Sequence, residues 1–387
     1  MTSLSLNVCN FAPQYDISRP ECGVKVILLE AKVWHLMIKT INSWRGLMAV
    51  AVVLFHCNVA WIYNVAVSGV TFFFLSSAFL LARRHPVERL EARAYGRFVM
   101  EHALRLYPLH WLGLALLIVM ACTLYAAPIN WGATALSALL LHAWSPLHDV
   151  HYGINPVAWY MSALLFCYCI YPLVMRWMGL WRLRHKTLLA VALAVVLGAI
   201  MLPLDIPGRE AVFVNPLSHV VDVVVGVTLM HLCQVLQGRW PRVGYRTATF
   251  IELGALLLLA AVIGLNMMTT LVRPWEDDVL WLLPQGAILA VLAWLAGQEG
   301  AIGRLLLCKP LQWLGSISFE VFVLQFVAFR LFAFVIAPAA GHLGCDIYGQ
   351  LPWLVLAVLL PLSWLVNRVF TRPLSRIIKR KLTTRNQ

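Results

Sequence analysis

Trp44-Arg45-Gly46-Leu47-Met48-Ala49-Val50-Ala51-Val52-Val53-Leu54-Phe55-His56 is an apolar run that opens beside an arginine and closes on a histidine. At about 100° per residue, the eleven steps from Arg45 to His56 return to within roughly 20° of the start, so both side chains share one helix face. At about 1.5 Å per residue they stand about 16 Å apart along the axis. This spacing lets Arg45 sit at headgroup level while His56 lies deep in hydrocarbon. An ionisable group at such depth is costly and faces a cavity, a partner or a water path.

The composition around this run excludes an ordinary soluble domain. Of 387 residues 61% are hydrophobic, mean hydropathy is +0.79, and several runs reach the roughly 20 residues that cross a bilayer. The formal charge of +13 therefore bears first on which side of a membrane the Lys and Arg residues occupy, and no nucleic-acid partner is expected. The nine cysteines lie mostly inside apolar runs, without paired extracellular spacing or CxxC, so neither disulfides nor a metal centre is expected.

The reading is an all-α polytopic membrane protein with about ten transmembrane helices. Residues 1–42 form a cytoplasmic or interfacial extension with an interfacial helix near 24–38, 43–371 the membrane domain, and 372–387 a basic cytoplasmic tail. The spans fall at 46–63, 66–82, 104–125, 157–175, 187–204, 217–236, 248–270, 280–297, 314–337 and 351–369. Glu252 sits awkwardly near the start of the seventh. Connections after the even-numbered spans carry Lys or Arg, whereas the opposite set holds only Arg209 and Arg273. The positive-inside rule then puts both termini in the cytoplasm, and a cell inner membrane is expected.

Several residues suggest chemistry, each with a plainer alternative. Arg45 is a positive-inside anchor or a fixed cation for an anionic ligand, and His56 a core histidine or a general base. The second span, Ser68-Gly69-Val70-Thr71-Phe72-Phe73-Phe74-Leu75-Ser76-Ser77-Ala78-Phe79, suits close helix packing. In Arg97-Phe98-Val99-Met100-Glu101-His102-Ala103-Leu104-Arg105-Leu106-Tyr107-Pro108-Leu109-His110-Trp111, His102 and Arg105 share a face beside a proline. His219 and Asp222 are either a proton-coupled pair or a buried polar contact between helices. The loop 127–156 has no Lys or Arg, and it carries Trp144, His148, His151 and Tyr152. It is an interfacial aromatic belt or a surface for sugar rings.

Taken in order, these segments resemble the integral-membrane acyltransferase-3 family: Arg-x10-His, then Gly-Val-x-x-Phe-Phe-x-x-Ser-x-Phe, then Arg-Leu-Tyr-Pro-Leu-x-Trp. Trp159-Tyr160-Met161-Ser162, the stretch from Asn215 to Gly226, and Leu314 to Leu324 resemble later family segments, so the likeness covers roughly 40–373. The sequence departs from that pattern at Thr71, Ala78, His102, Leu164, His219, Gln325 and Thr371. Three of these, Thr71, Leu164 and Thr371, stand where relatives carry a carboxylate.

The resemblance implies transfer of an acetyl or other short acyl group from acyl-CoA, as donor substrate, to a glycan hydroxyl. His56 would be the base, and Arg45, Arg97, His102 and Arg105 would hold acetyl-CoA. Ser77, Trp159 or Ser162 would orient acceptor or thioester, with His219 and Asp222 beside the site. The lipid bilayer, a glycan acceptor and polysaccharide synthesis or export proteins are the implied partners. A glycan or lipid transporter or flippase is the rival reading, although no duplicated half is visible. A catalytically silent family member within a glycan-export complex is another.

Overall fold

The computed structural model describes residues 20–59, 62–87, 91–124, 128–240, 243–268, 279–342 and 350–384. Arg89, Arg273, Arg385 and residues 1–19 of the N-terminal extension lie outside them. The helices are α1 Pro20–His56, α2 Tyr63–Arg84, α3 Ala92–Thr123, α4 Trp131–Ala138, α5 His148–His151, α6 Trp159–Met178, α7 Leu183–Met201, α8 Ile206–Val214 and α9 Val220–Arg239. They continue with α10 Tyr245–Met268, α11 Val279–Trp294, α12 Ala301–Leu306, α13 Lys309–Ser316, α14 Ser318–Leu331, α15 Ala337–His342, α16 Leu351–Val366 and α17 Arg372–Thr384. Among the described residues nine helices are long and apolar enough to cross a membrane, and Val279–Trp294 is a shorter apolar one. The chain is an all-α multi-pass membrane protein, and the ten expected spans find their ten helices.

The first span needs correction. Its apolar helix begins at Ala31 and ends at His56, not at 46 and 63. The residues near 24–38 belong to this same helix rather than to a separate interfacial one. Arg45 therefore stands midway along the span, and His56 is its last residue. Lys32, His35 and Lys39 lower the hydropathy of the early turns and hid them. What stabilises those turns is packing against distant sequence. Ser43 Oγ donates to the Leu306 carbonyl at 2.6 Å, and the Gln312 amide donates to the Lys39 carbonyl at 3.0 Å and to Ser43 Oγ at 2.7 Å. Two glycines let α1 and α13 touch backbone to backbone: a Cβ on Gly46 would stand 2.8 Å from the Gly315 nitrogen, and one on Gly315 would meet the Asn42 carbonyl.

Helix α2 is the most deeply buried span, with α1 and α9 packed along it. The contact with α9 is close because Ala78 meets Gly226, where a Cβ would lie 2.6 Å from the Ala78 Cβ. Gln285 of α11 ties α1 to α2: it accepts from Trp44 Nε1 at 3.2 Å and donates to Ser68 Oγ at 2.9 Å. Helices α7 and α10 lie at the periphery, showing Leu188, Val191, Phe250 and Leu257 outward, as lipid-facing helices do.

Glu252 finds its reason in this arrangement. Its carboxylate is buried and accepts the N–H groups of Gly300, Ile302 and Gly303 at 3.0, 2.9 and 3.0 Å, capping the start of α12. Replacing Glu252 with alanine strands these amides in a buried site. We expect a loss of at least about 1.5–3 kcal/mol, with a smaller loss for Glu252→Gln. Thermal melting of the detergent-purified protein measures both, and equal melting of wild type and Glu252→Ala would refute the assignment.

Candidate active site

Two cavities are stacked along the bundle axis, built largely by the same helices. The first, of about 230 Å³, is lined by Trp34, Ile38, Asn42 and Arg45 of α1, by Ser77, Leu81 and Arg84 of α2, and by His85, His102, Arg105 and Tyr168. The second, of about 590 Å³, is lined by Val52, Phe55 and His56 of α1, by Tyr63, Ala66 and Val70 of α2, and by Trp159 of α6. On α1 the numbers rise from the first cavity to the second, and on antiparallel α2 they fall. The two chambers thus lie one above the other.

What separates them is a layer of three rings. Phe73 sits one helical turn from Val70 and one from Ser77, so it lies between the chambers. Its centroid is 5.9 Å from Tyr160 and 5.6 Å from Phe322, and Tyr160 and Phe322 are 5.0 Å apart, all edge to face. The Arg45 guanidinium carbon stands 5.7 Å from the Phe73 centroid on one side of this layer. Phe322 lines the His56 chamber on the other.

The first chamber is basic. Arg84 and Arg105 are exposed near its mouth, whereas Arg45 is half-buried and its Nε has no hydrogen-bond partner among the described residues. His102 is buried, with Nδ1 donating to the Phe98 carbonyl at 2.8 Å. Burial first, then the nearby Arg84 and Arg105 cations, push the His85 pKa below the ordinary histidine value. Of the residues singled out from sequence, Arg45, Ser77, His102 and Arg105 come together here. Arg97 does not: it is exposed, two turns earlier on α3, and outside the chamber. His85 and Asn42 were missed, since neither stands in a motif.

His56 and Trp159 line the second chamber. The His56 ring is framed by Phe55 at 4.9 Å and Phe326 at 5.1 Å, and no described residue hydrogen-bonds to it. His219 and Asp222 lie behind the wall. The His219 ring stacks on Phe74 at 3.9 Å and lies 5.8 Å from Trp159. Its Nε2–H donates to the Phe213 carbonyl at 2.9 Å, and Nδ1 is joined to Asp222 Oδ2 at 2.9 Å. The pair therefore braces Trp159 and Phe213, which face the cavity. Ser162 lines neither chamber; it is buried and donates to the Leu140 carbonyl at 2.5 Å, next to a left-handed turn at Leu140, φ 56°.

That bond belongs to a larger clamp on the segment 128–156, which is a folded cap containing α4 and α5. Tyr107, Trp111 and His110 of α3 donate to the carbonyls of Leu139, Ala138 and Ser137 at 3.0, 2.9 and 2.7 Å. They tie down the carbonyls at the end of α4, where Ser137 also accepts the Leu140 N–H, a task that spacing along α3 alone does not reveal. Of the positions that depart from the family pattern, Thr71, Leu164 and Gln325 are buried, and Gln325 donates to the Phe322 carbonyl at 2.8 Å. Near Thr371 a buried carboxylate comes instead from Glu320, which accepts from Asn367 at 2.8 Å.

With this geometry in view, the comparisons are specific on one point. The acyltransferase-3 family model, described as an acyltransferase domain, matches residues 38–371, and the chain belongs to that family. It is an acyltransferase in a membrane. No curated protein and no solved structure matches it.

Within the cap, His142 is fully buried and neither ring nitrogen has a partner among the described residues. Burial, with smaller effects from His110 and His151, holds its pKa down at about 3, against an ordinary 6.5. The folded state resists protonation there while the unfolded state accepts it. Stability from this group is complete above the ordinary value and is lost between about 6.5 and about 3 as pH falls, by about 1.4 kcal/mol per pH unit. Melting curves taken from pH 8 to pH 5 should show this acid limb, and His142→Phe should make it shallower; identical limbs would remove the claim.

Proposed function

We propose that this protein moves an acetyl or other short acyl group from acyl-CoA to a hydroxyl of a cell-surface or exported polysaccharide, or of its lipid-linked precursor. The observation that carries the reading is the pair of stacked chambers, with Arg45 in one and His56 in the other. The basic connections favour cytoplasmic termini in an inner membrane, with the Arg45 chamber facing the acyl-CoA pool. Proteins of polysaccharide synthesis or export are the natural partners.

The residues of the first chamber suit coenzyme A. Its phosphates match the planar forks of Arg84 and Arg105, and Arg45 offers an unused buried donor deeper in. A chamber of 230 Å³ is smaller than the roughly 300–1,000 Å³ that encloses a drug-sized ligand. It would take the narrow pantetheine arm while the nucleotide rests over the exposed arginines. The acyl end then meets the aromatic layer, and a shift of Phe73, Tyr160 or Phe322 would open the way to His56.

His56 acts as base on the far side. Its neutral imidazole takes the hydroxyl proton as that oxygen bonds to the thioester carbon; the carbon–sulfur bond breaks, and the thiolate leaves with a proton returned by the imidazolium. The aromatic walls of this chamber suit the faces of sugar rings. No described carboxylate hydrogen-bonds to His56, so packing against Phe55 and Phe326 would orient it.

His56→Ala should lower acyl transfer by about 10²–10⁴-fold. In cells it should abolish the acetate on the glycan at unchanged protein level, read by NMR of the polysaccharide. Normal acetylation would overturn the assignment. Arg45→Ala should act mainly through weaker acyl-CoA binding, and Arg45→Lys should recover only part of it, because a point charge cannot donate the same paired bonds.

A further inference from the structure

Helix α8 closes one side of the His56 chamber and turns a single face toward it: Ile206, Arg209, Glu210 and Phe213, at i, i+3, i+4 and i+7. Both ends of α8 are fixed. Asp205 accepts from the Gly208 N–H at 2.9 Å, and Ser218 Oγ donates to the Val212 carbonyl at 2.5 Å. Arg209 is fixed as well, since its Nε donates to the Met201 carbonyl at 3.3 Å. That bond uses the inner nitrogen and leaves the two terminal nitrogens of the fork.

No carboxylate among the described residues forms an ion pair with Arg209. Its neighbour Glu210 lines the same chamber but forms no ion pair with it among the described residues. Glu210 lies near His151, where its charge works against the dominant effect of burial on that histidine. Arg209 is also the sole Lys or Arg among the described residues in the connections at this end of the bundle. Orientation signals alone would leave this end without a cation. A restrained, half-buried and unpaired guanidinium on the wall of an aromatic chamber has a use that topology does not supply.

We propose that Arg209 binds an oxyanion on the acceptor, either the carboxylate of an acidic sugar or a phosphate attached to the glycan. The ring would lie against Trp159 and Phe213 and present a hydroxyl to His56. The volume of 590 Å³ falls within the range that encloses a ligand of one or two sugars. Planar donation of two parallel bonds is the feature by which arginine selects carboxylate or phosphate over a neutral hydroxyl. The inference rests on the acyltransferase reading for the role of the bound sugar, while binding itself is independent of turnover.

The test is a binding titration of the full-length protein in detergent, followed by tryptophan fluorescence. The probes are p-nitrophenyl glucuronide, p-nitrophenyl glucoside and glucose 1-phosphate. We expect at least one anionic probe to bind about tenfold or more tightly than the neutral glucoside. Preference for the glucuronide assigns a sugar carboxylate, and preference for glucose 1-phosphate assigns a phosphate. Arg209→Gln should erase the advantage, and Arg209→Lys should retain part of it at an unchanged melting temperature. An anion advantage that survives in Arg209→Gln overturns the proposal, as do equal affinities for all probes, no binding of either anion, or displacement of the anion by coenzyme A. Inactive enzyme with intact anion preference would instead count against the acyl-transfer reading alone.

Discussion

A guanidinium halfway along an apolar helix is the constraint on which the rest of this structure depends. Left against lipid, Arg45 would be prohibitively unfavourable, and the bundle responds by hollowing a polar chamber beside it. That chamber requires α1, α2, α3 and α6 to converge at one level. The convergence in turn requires close contacts elsewhere: Gly46 on Gly315, Ala78 on Gly226, and a glutamine at 285 holding Trp44 and Ser68. The small residues along α1 and α2 are therefore linked to a charge they do not touch.

Much of this was legible in the chain. Hydropathy located the nine helices long enough to span and the shorter Val279–Trp294, because burial in lipid demands long apolar runs, and the ordered segments pointed to the right family. The register of the first span was not legible. Its early turns are stabilised by α12 and α13, which lie more than 250 residues away, and local hydropathy cannot register so distant a partner. Glu252 looked like an obstacle for a similar reason, since the amides it caps are supplied by a separate helix.

The candidate site divides in the same way. A helical face shared by Arg45 and His56 was readable from spacing, but the aromatic layer between them was not. Its rings come from α2, α6 and α14 and meet only in the fold. Tyr107 and Trp111 show a further limit. They stand in a family-like segment, yet both spend their polar atoms on the carbonyls of the cap. Ser162 and the His219–Asp222 pair likewise hold walls in place and line neither chamber themselves.

The three-ring layer has a consequence for the membrane itself. Two hollow chambers approach from opposite ends of the bundle, with the rings of Phe73, Tyr160 and Phe322 standing between them. Along that line the dielectric barrier is one ring layer thick instead of a full hydrocarbon width. Their close edge-to-face packing keeps the two chambers from joining into one continuous hollow through the bundle.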